Sequence, residues 1–368
     1  MGTLTLPASQ SGAPSKSGSG YWMFSQQADL GWFAFSLAVP LVLYLVPYLA
    51  LGSKAVWPLY MVYVAFFATP HLWMTWAVTL PETGRANYSK RSFIEPLAVT
   101  LTLVASVPLA ARLGAWDWLF TAVTLIGVWH IFRQHTGLLK IYDAKHAQVH
   151  QDSSIFADMK PFHWLCMLAF NLPILYVWTM PPIHVVVGFQ KFQLWSPDWP
   201  RWVLGVGAIA TLSLAIPTIR NLLRRQREGK PFPAAHMALA LTAGLSYLVA
   251  FAVVPPQDYL LTLAIFISYH DLQYIGFVWN FQQKRSRVEQ GLGTRLDVLH
   301  RWALEGRFWP SIGVAFGFSA VVLGLIMVSP PTVALAMVVF HNVIHYWMDG
   351  FVWQRKHNAK LSLHMGLR

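Results

Sequence analysis

Apolar and polar positions alternate along this chain on a long scale. Mostly apolar runs of about 20 residues, separated by short polar connections, fill it from Leu30 to Trp353. As a helix, a run of that length crosses roughly 30 Å of hydrocarbon and satisfies its own backbone. The pattern predicts helices over residues 30–51, 55–80, 94–113, 115–140, 161–180, 201–222, 234–254, 257–282, 309–329 and 331–354. The expected fold is therefore an all-α polytopic transmembrane bundle of about ten spans. Pro70 falls inside the second span and should kink it. Residues 1–29 are rich in Gly, Ser, Pro and Gln, with Lys16 the only charge before Asp29. They lack the basic start and apolar core of a signal peptide and are expected to be a disordered cytosolic tail. Residues 30–356 form the membrane domain, and 357–368 a second cytosolic tail.

Charge refines this picture. Only 11% of the 368 residues are charged, against 55% hydrophobic and 15% aromatic. A soluble domain carries about twice that charged fraction. The net charge of +12 would suggest nucleic acid in a soluble protein. Here the positive charge sits in short connections, where it works as a topology signal, so no nucleic-acid partner is expected. With ten spans and both termini on one face, 23 Lys and Arg residues fall on that face and 4, namely Lys54, Arg112, Lys191 and Arg201, on the other. That asymmetry predicts cytosolic termini, in the inner membrane if the source is bacterial. Two cytosolic connections are long: 141–160, and the basic segment 283–307, an interfacial helix anchored by Trp302. The aromatic stretch 181–200 on the opposite face should lie along the membrane surface. Cys166 is the only cysteine, which excludes a disulfide and thiolate clusters.

Ionisable groups inside spans are costly and usually functional. The second span carries Pro70-His71, the fourth His130 and His135, the eighth His270-Asp271, and the tenth His341, His345 and Asp349. All four spans run toward the cytosol. Counted from that end, His71, His130, His270, His341 and His345 lie about 9, 10, 12, 13 and 9 residues in, or roughly 13 to 20 Å. A shared depth in four helices points to a common site in the cytosolic half of the membrane. His341, His345 and Asp349 repeat every four residues and so form one stripe. Two imidazoles one turn apart can share a metal, with a carboxylate as third ligand or as partner of a ligand's far nitrogen. His135, five residues after His130, matches a single face less well and fits a supporting role. Asp271, Asp349 and Glu95, at the start of the third span, are the acidic candidates. Imidazole with carboxylate suits iron, zinc, copper or nickel.

Plainer readings stand beside these. His71 could bond a carbonyl freed by Pro70, and His135 could be solvated beside Arg133. His146, His150, His163, His184, His236, His300, His357 and His364 lie in connections or near helix ends and are expected to have no functional role. The tryptophans Trp73, Trp76, Trp129, Trp279, Trp347 and Trp353 read as packing groups and interfacial anchors.

Pro70-His71, His130, His270 followed by Phe277-Val278-Trp279, and His341 with Asp349 downstream resemble, in that order, the bacterial membrane carotene dioxygenases. That family cleaves β-carotene to retinal with histidine-bound iron. The chain departs from the pattern at Leu72-Trp73-Met74-Thr75, where the family has Gly-Ala-Leu-Asp, and at Tyr274, where it has a histidine. His135 and His345 have no counterpart in it. His130/His135 and His341/His345 also resemble the spaced boxes of membrane di-iron hydroxylases and desaturases, though the adjacent His-His pairs of those enzymes are missing. Both resemblances imply one or two non-haem iron ions, dioxygen, a lipid or isoprenoid substrate and, for some of these reactions, an electron-donor protein. A b-type haem protein and a proton-coupled transporter remain the alternatives.

Overall fold

A computed structural model describes residues 22–79, 91–180, 183–187, 190–194, 199–293, 296–354, 358 and 360–367. Each of the predicted spans falls on helix within them. The main helices are α1 (Gln26–Phe33), α2 (Thr69–Thr79), α3 (Arg91–Arg112), α4 (Trp116–His150), α5 (Lys160–Trp178), α6 (Trp202–Arg227), α7 (Ala234–Val253), α8 (Tyr259–Gly291), α9 (Phe308–Val328) and α10 (Pro331–Val352). Short helices connect α1 to α2. Among the described residues, seven helices are long and apolar enough to cross a membrane, with Gln26–Thr79 counted as one. Two predicted spans share that stretch, and they part at Gly52, whose φ of +62° suits glycine. α4 and α10 are not among the seven. Their polar residues, including His130, Arg133, Gln134 and His135 on α4, lower their apolar character.

The bundle is built around α8. The Pro256–Gly291 segment is 89% buried over its most apolar stretch, whereas α6 is only 11% buried. α6 turns Ile209, Leu212, Ile216 and Ile219 outward. Such an apolar outer face is what lipid, and not water, accommodates. This is a membrane protein.

Proline shapes the approach to the polar centre. A proline cannot donate a backbone hydrogen bond, and its ring crowds the carbonyl four residues back. Before Pro47 and Pro70 the helix widens into π-turns at Leu41–Leu45 and Val64–Ala68. The Thr69 hydroxyl then bonds the Val64 carbonyl at 2.9 Å. The predicted irregularity at Pro70 is thus a widened turn directly before His71, a device common at functional sites. The far end of α2 is capped from α8: Gln282 Nε2 donates to the Ala77 carbonyl and Arg285 Nη1 to that of Val78, at 3.1 and 3.2 Å.

Several connections differ from expectation. Residues 22–29 are not a disordered tail. Asp29 is buried and accepts from the Met23 and Phe24 amides and the Tyr142 hydroxyl at 2.6, 3.1 and 2.8 Å. A short apolar-polar stretch of this kind carries no period by which its packing could be read; residues 1–21 lie outside the described residues. The expected connection 141–160 is largely helix, because α4 runs on to His150. The basic segment divides between the end of α8 and a short helix, Val298–Leu304, capped by Asp297. Within 181–200, strands β1 (Ile183–Val187) and β2 (Gln190–Leu194) pair antiparallel, and the Gln193 amide donates to Asp117 of α4 at 2.8 Å. The C-terminal residues also pack: α11 (Leu361–Met365) buries Leu361 and Met365, and His364 meets Glu289 of α8 at 2.8 Å. Buried polar contacts, which hydropathy does not register, hold the described residues at both ends against the bundle.

Candidate metal centre

Four helices bring imidazoles to one point. His71 on α2, His130 on α4, His270 on α8 and His345 on α10 are all buried. Ring centroids are 4.4 Å apart for His71 and His345, 4.8 Å for His130 and His345, 5.0 Å for His71 and His270, and 5.6 Å for His130 and His270. Nε2 of His71 and Nε2 of His345 face each other at 2.7 Å. Asp349, one turn below His345, brings Oδ2 within 3.8 Å of His130 Nε2 and 4.0 Å of His345 Nε2. Two groups of three can each gather around one ion: His71, His130 and His270, and His130, His345 and Asp349. They share His130.

A polar layer holds these groups. Thr75 Oγ1 lies 2.6 Å from His345 Nδ1 and donates to Asp349 Oδ1 at 2.9 Å. Thr75 Oγ1 also meets the Tyr274 hydroxyl at 2.9 Å. The Tyr274 hydroxyl donates to the same Asp349 oxygen at 2.6 Å. Asp271 Oδ1 stands 3.5 Å from His71 Nδ1. His71 Nδ1, His130 Nε2, His270 Nδ1 and Asp349 Oδ2 are buried without a hydrogen-bond partner among the described residues. Orphaned polar atoms of this kind are rare in proteins and mark a site shaped for something else. Imidazoles with one carboxylate are a donor set that suits iron, zinc, copper or nickel.

The expected ligands do not all converge. His341 is a correction: its Nδ1 bonds the Met337 carbonyl of its own helix at 2.8 Å, and its ring lies against Phe318 and Phe340. It sits one turn, about 6 Å, farther along α10 than His345. His135 is a correction as a ligand, since both ring nitrogens are taken, Nε2 by Gln273 Oε1 at 2.8 Å and Nδ1 by the Ile131 carbonyl at 3.1 Å. It remains beside the centre, 5.9 Å from the His270 ring. Asp349 belongs to one of the two groups of three that could hold an ion, and Asp271 lies beside His71. Glu95, half-buried on α3, is not among the convergent groups.

Thr75 and Tyr274 were not anticipated as site residues. A signal for them existed: Thr75 follows His71, Tyr274 follows His270 and Asp349 follows His345, each by four residues, one turn along the same face.

The centre opens on a cavity of about 850 Å³ between α3, α4, α10 and α11. His130, Tyr274 and Asp349 line its inner wall, and apolar groups such as Leu103, Ile126, Phe277 and Val343 line much of the rest. His130 stacks on Tyr346 with centroids 4.7 Å apart. Gly127 permits that approach of α4 to α10, because a Cβ there would lie 2.7 Å from the Tyr346 hydroxyl.

No protein-family model, curated protein or solved structure matches the chain.

Proposed function

We propose that the chain is a membrane-embedded non-haem iron oxygenase acting on a lipid or isoprenoid substrate. One observation carries this reading: four buried imidazoles and a carboxylate converge, and two of these groups, His130 and Asp349, line a largely apolar cavity. When bound, iron would supply dioxygen activation at positions that the protein ligands leave open. The chain's own residues divide the remaining work. His71, His130, His270, His345 and Asp349 bind one or two ions, and Asp271, Thr75 and Tyr274 fix the direction of those ligands. The cavity walls hold an apolar substrate against His130 and Asp349 and exclude water. The resemblance to the carotene dioxygenases supports the reading at His71, His130 and His270, with His345 standing where His341 was expected. Hydroxylation and desaturation draw electrons from a donor protein, whereas dioxygen cleavage of a double bond does not.

In the same reading the chain crosses the membrane ten times with both termini in the cytosol, and its centre lies in the cytosolic half. The 23-to-4 split of basic residues supports that orientation. A b-type haem has less support, because axial imidazoles must stand apart on two faces of a wide flat ring. Here four imidazoles close around one point.

The test is metal content of the purified protein, with dioxygen uptake measured on carotenoid, sterol and fatty-acid substrates. Stoichiometric iron, and uptake lost on chelation and restored by iron(II), is the expected result. Protein without iron, together with uptake that chelation leaves unchanged, would overturn the reading.

A further inference from the structure

A second convergence of metal-binding side chains lies outside the cavity. Asp143 is on the extension of α4 beyond the predicted span, His163 on the first turn of α5 and His236 on the first turn of α7. His163 Nε2 is 3.1 Å from Asp143 Oδ2, and His236 Nδ1 is 2.9 Å from Asp143 Oδ1. The two imidazoles lie parallel, with 1° between their planes and centroids 5.2 Å apart. Asp143 and His236 are buried, while His163 keeps a narrow opening with 13% of its side chain exposed.

These contacts invite reading as an Asp143 carboxylate clamped by two hydrogen bonds. The directions of the groups oppose it. Although each lies close to its partner, Asp143 Oδ1, His163 Nε2 and both nitrogens of His236 have no hydrogen-bond partner among the described residues. The atoms are near but not aligned. Ligands around a common ion behave this way, because each lone pair aims at the ion and not at the neighbouring ligand. Donor atoms about 2.0–2.2 Å from a tetrahedral cation stand about 3.3–3.6 Å from one another. The separations of 2.9 and 3.1 Å, each to a different oxygen of Asp143, are a few tenths of an ångström short of that edge.

We propose that Asp143, His163 and His236 form a second metal site, separate from the cavity centre, that takes a divalent transition ion such as zinc. Two imidazoles and a carboxylate occupy three corners of a tetrahedron, and the opening at His163 leaves the fourth to water. The site ties α4 to the starts of α5 and α7. Lys140, Ile141 and Ala144, next to Asp143 on α4, line the cavity, so the ion braces the back of a cavity wall. None of the three ligands lines the cavity itself.

Cobalt(II) titration of metal-free, full-length protein in detergent tests the proposal, since tetrahedral cobalt has strong visible bands. One tetrahedral cobalt is expected in the wild type. It is also expected in a His71→Ala/His345→Ala variant that elutes as the wild type does, which separates this site from the cavity centre. His163→Gln and Asp143→Asn should each weaken that cobalt by at least about tenfold, the lower bound even for losing a group that only supports a ligand. His163 is the least buried of the three, so His163→Gln gives the reading if Asp143→Asn does not fold. Cobalt affinity unchanged in His163→Gln, or no tetrahedral cobalt in the double variant, would overturn the proposal.

Discussion

The two clusters of histidine and aspartate differ in how the chain delivers them. The cavity centre draws His71, His130, His270 and His345 from the middle of four helices at one depth. The Asp143–His163–His236 cluster draws its members from helix ends. The first borders an apolar cavity of about 850 Å³ and is held by Thr75, Tyr274 and Asp271. The second does not line that cavity and has structural ion pairs nearby, such as Arg225 with Asp152 and Asp158 at 2.8 and 3.0 Å. Under the proposed function the first cluster serves chemistry on an apolar molecule, and under the second proposal the other holds helices together.

The largest effect that would break this comparison comes from His130, the member common to both ligand groups of the centre. His130→Ala should cut iron affinity and dioxygen uptake by more than about 100-fold, beyond the range seen for groups that only support a ligand. The cobalt bound by Asp143, His163 and His236 should be unaffected. Loss of both metals together would mean that the clusters are one cooperative unit.

Next come the groups that hold the ligands. Tyr274→Phe removes a donor to Asp349, and Asp271→Asn replaces the carboxyl group beside His71 Nδ1 by an amide. Each should lower iron affinity or turnover by about 10- to 100-fold. Retention of folding, checked by gel filtration, separates this from collapse. If both variants take up dioxygen at the wild-type rate, the polar layer is packing and not ligand support.

Sequence reading served the two regions unequally, and depth explains why. A residue within a long apolar run has a position along the membrane normal that can be counted. His71, His130 and His345 lie about 9 to 10 residues from the same end, His270 about 12, and the rings touch. His341, at about 13, was the deepest of the five, and it is the one that turns away. Near helix ends the count has no reference, because a connection can bend either way. His163 and His236 therefore looked unremarkable, and Asp143 was placed in a loop that proves to be helix. Packing of residues 22–29 was hidden for a related reason: Asp29 is held by groups from its own strand of sequence and from Tyr142, far along the chain. The supporting groups Thr75 and Tyr274 were legible only by stepping one turn from each histidine.

A third test addresses the scaffold and spares both clusters. Gly276 lies on α8 where Trp32 of α1 crosses, and a Cβ at that position would overlap the indole and its own Cβ. Gly276→Ala should destabilise the protein by about 1–3 kcal/mol, the usual cost of overpacking. Thermal unfolding in detergent reads this, and both metals should still bind below the transition. An unchanged unfolding temperature would show that α1 packs less closely on the central helix than the structure has it.

The smallest expected effect is the most discriminating. His341 and His345 are neighbours on one stripe of α10, with the same chemistry and a similar membrane depth. Sequence periodicity alone treats them as a pair. The structure separates them by what their ring nitrogens do. His345 Nδ1 is held by Thr75, which leaves Nε2 to meet His71. His341 Nδ1 bonds back to the Met337 carbonyl, and its ring rests on Phe318 and Phe340. Replacing His341 by leucine removes that bond inside the helix and keeps an apolar group of similar size against the phenylalanines. Iron content and dioxygen uptake of His341→Leu should stay within about twofold of wild type, a change of under 0.5 kcal/mol. His345→Leu, by contrast, should lose the metal. If His341→Leu loses iron as well, the i, i+4 pair is the true ligand set, and the ring must turn over when the ion binds.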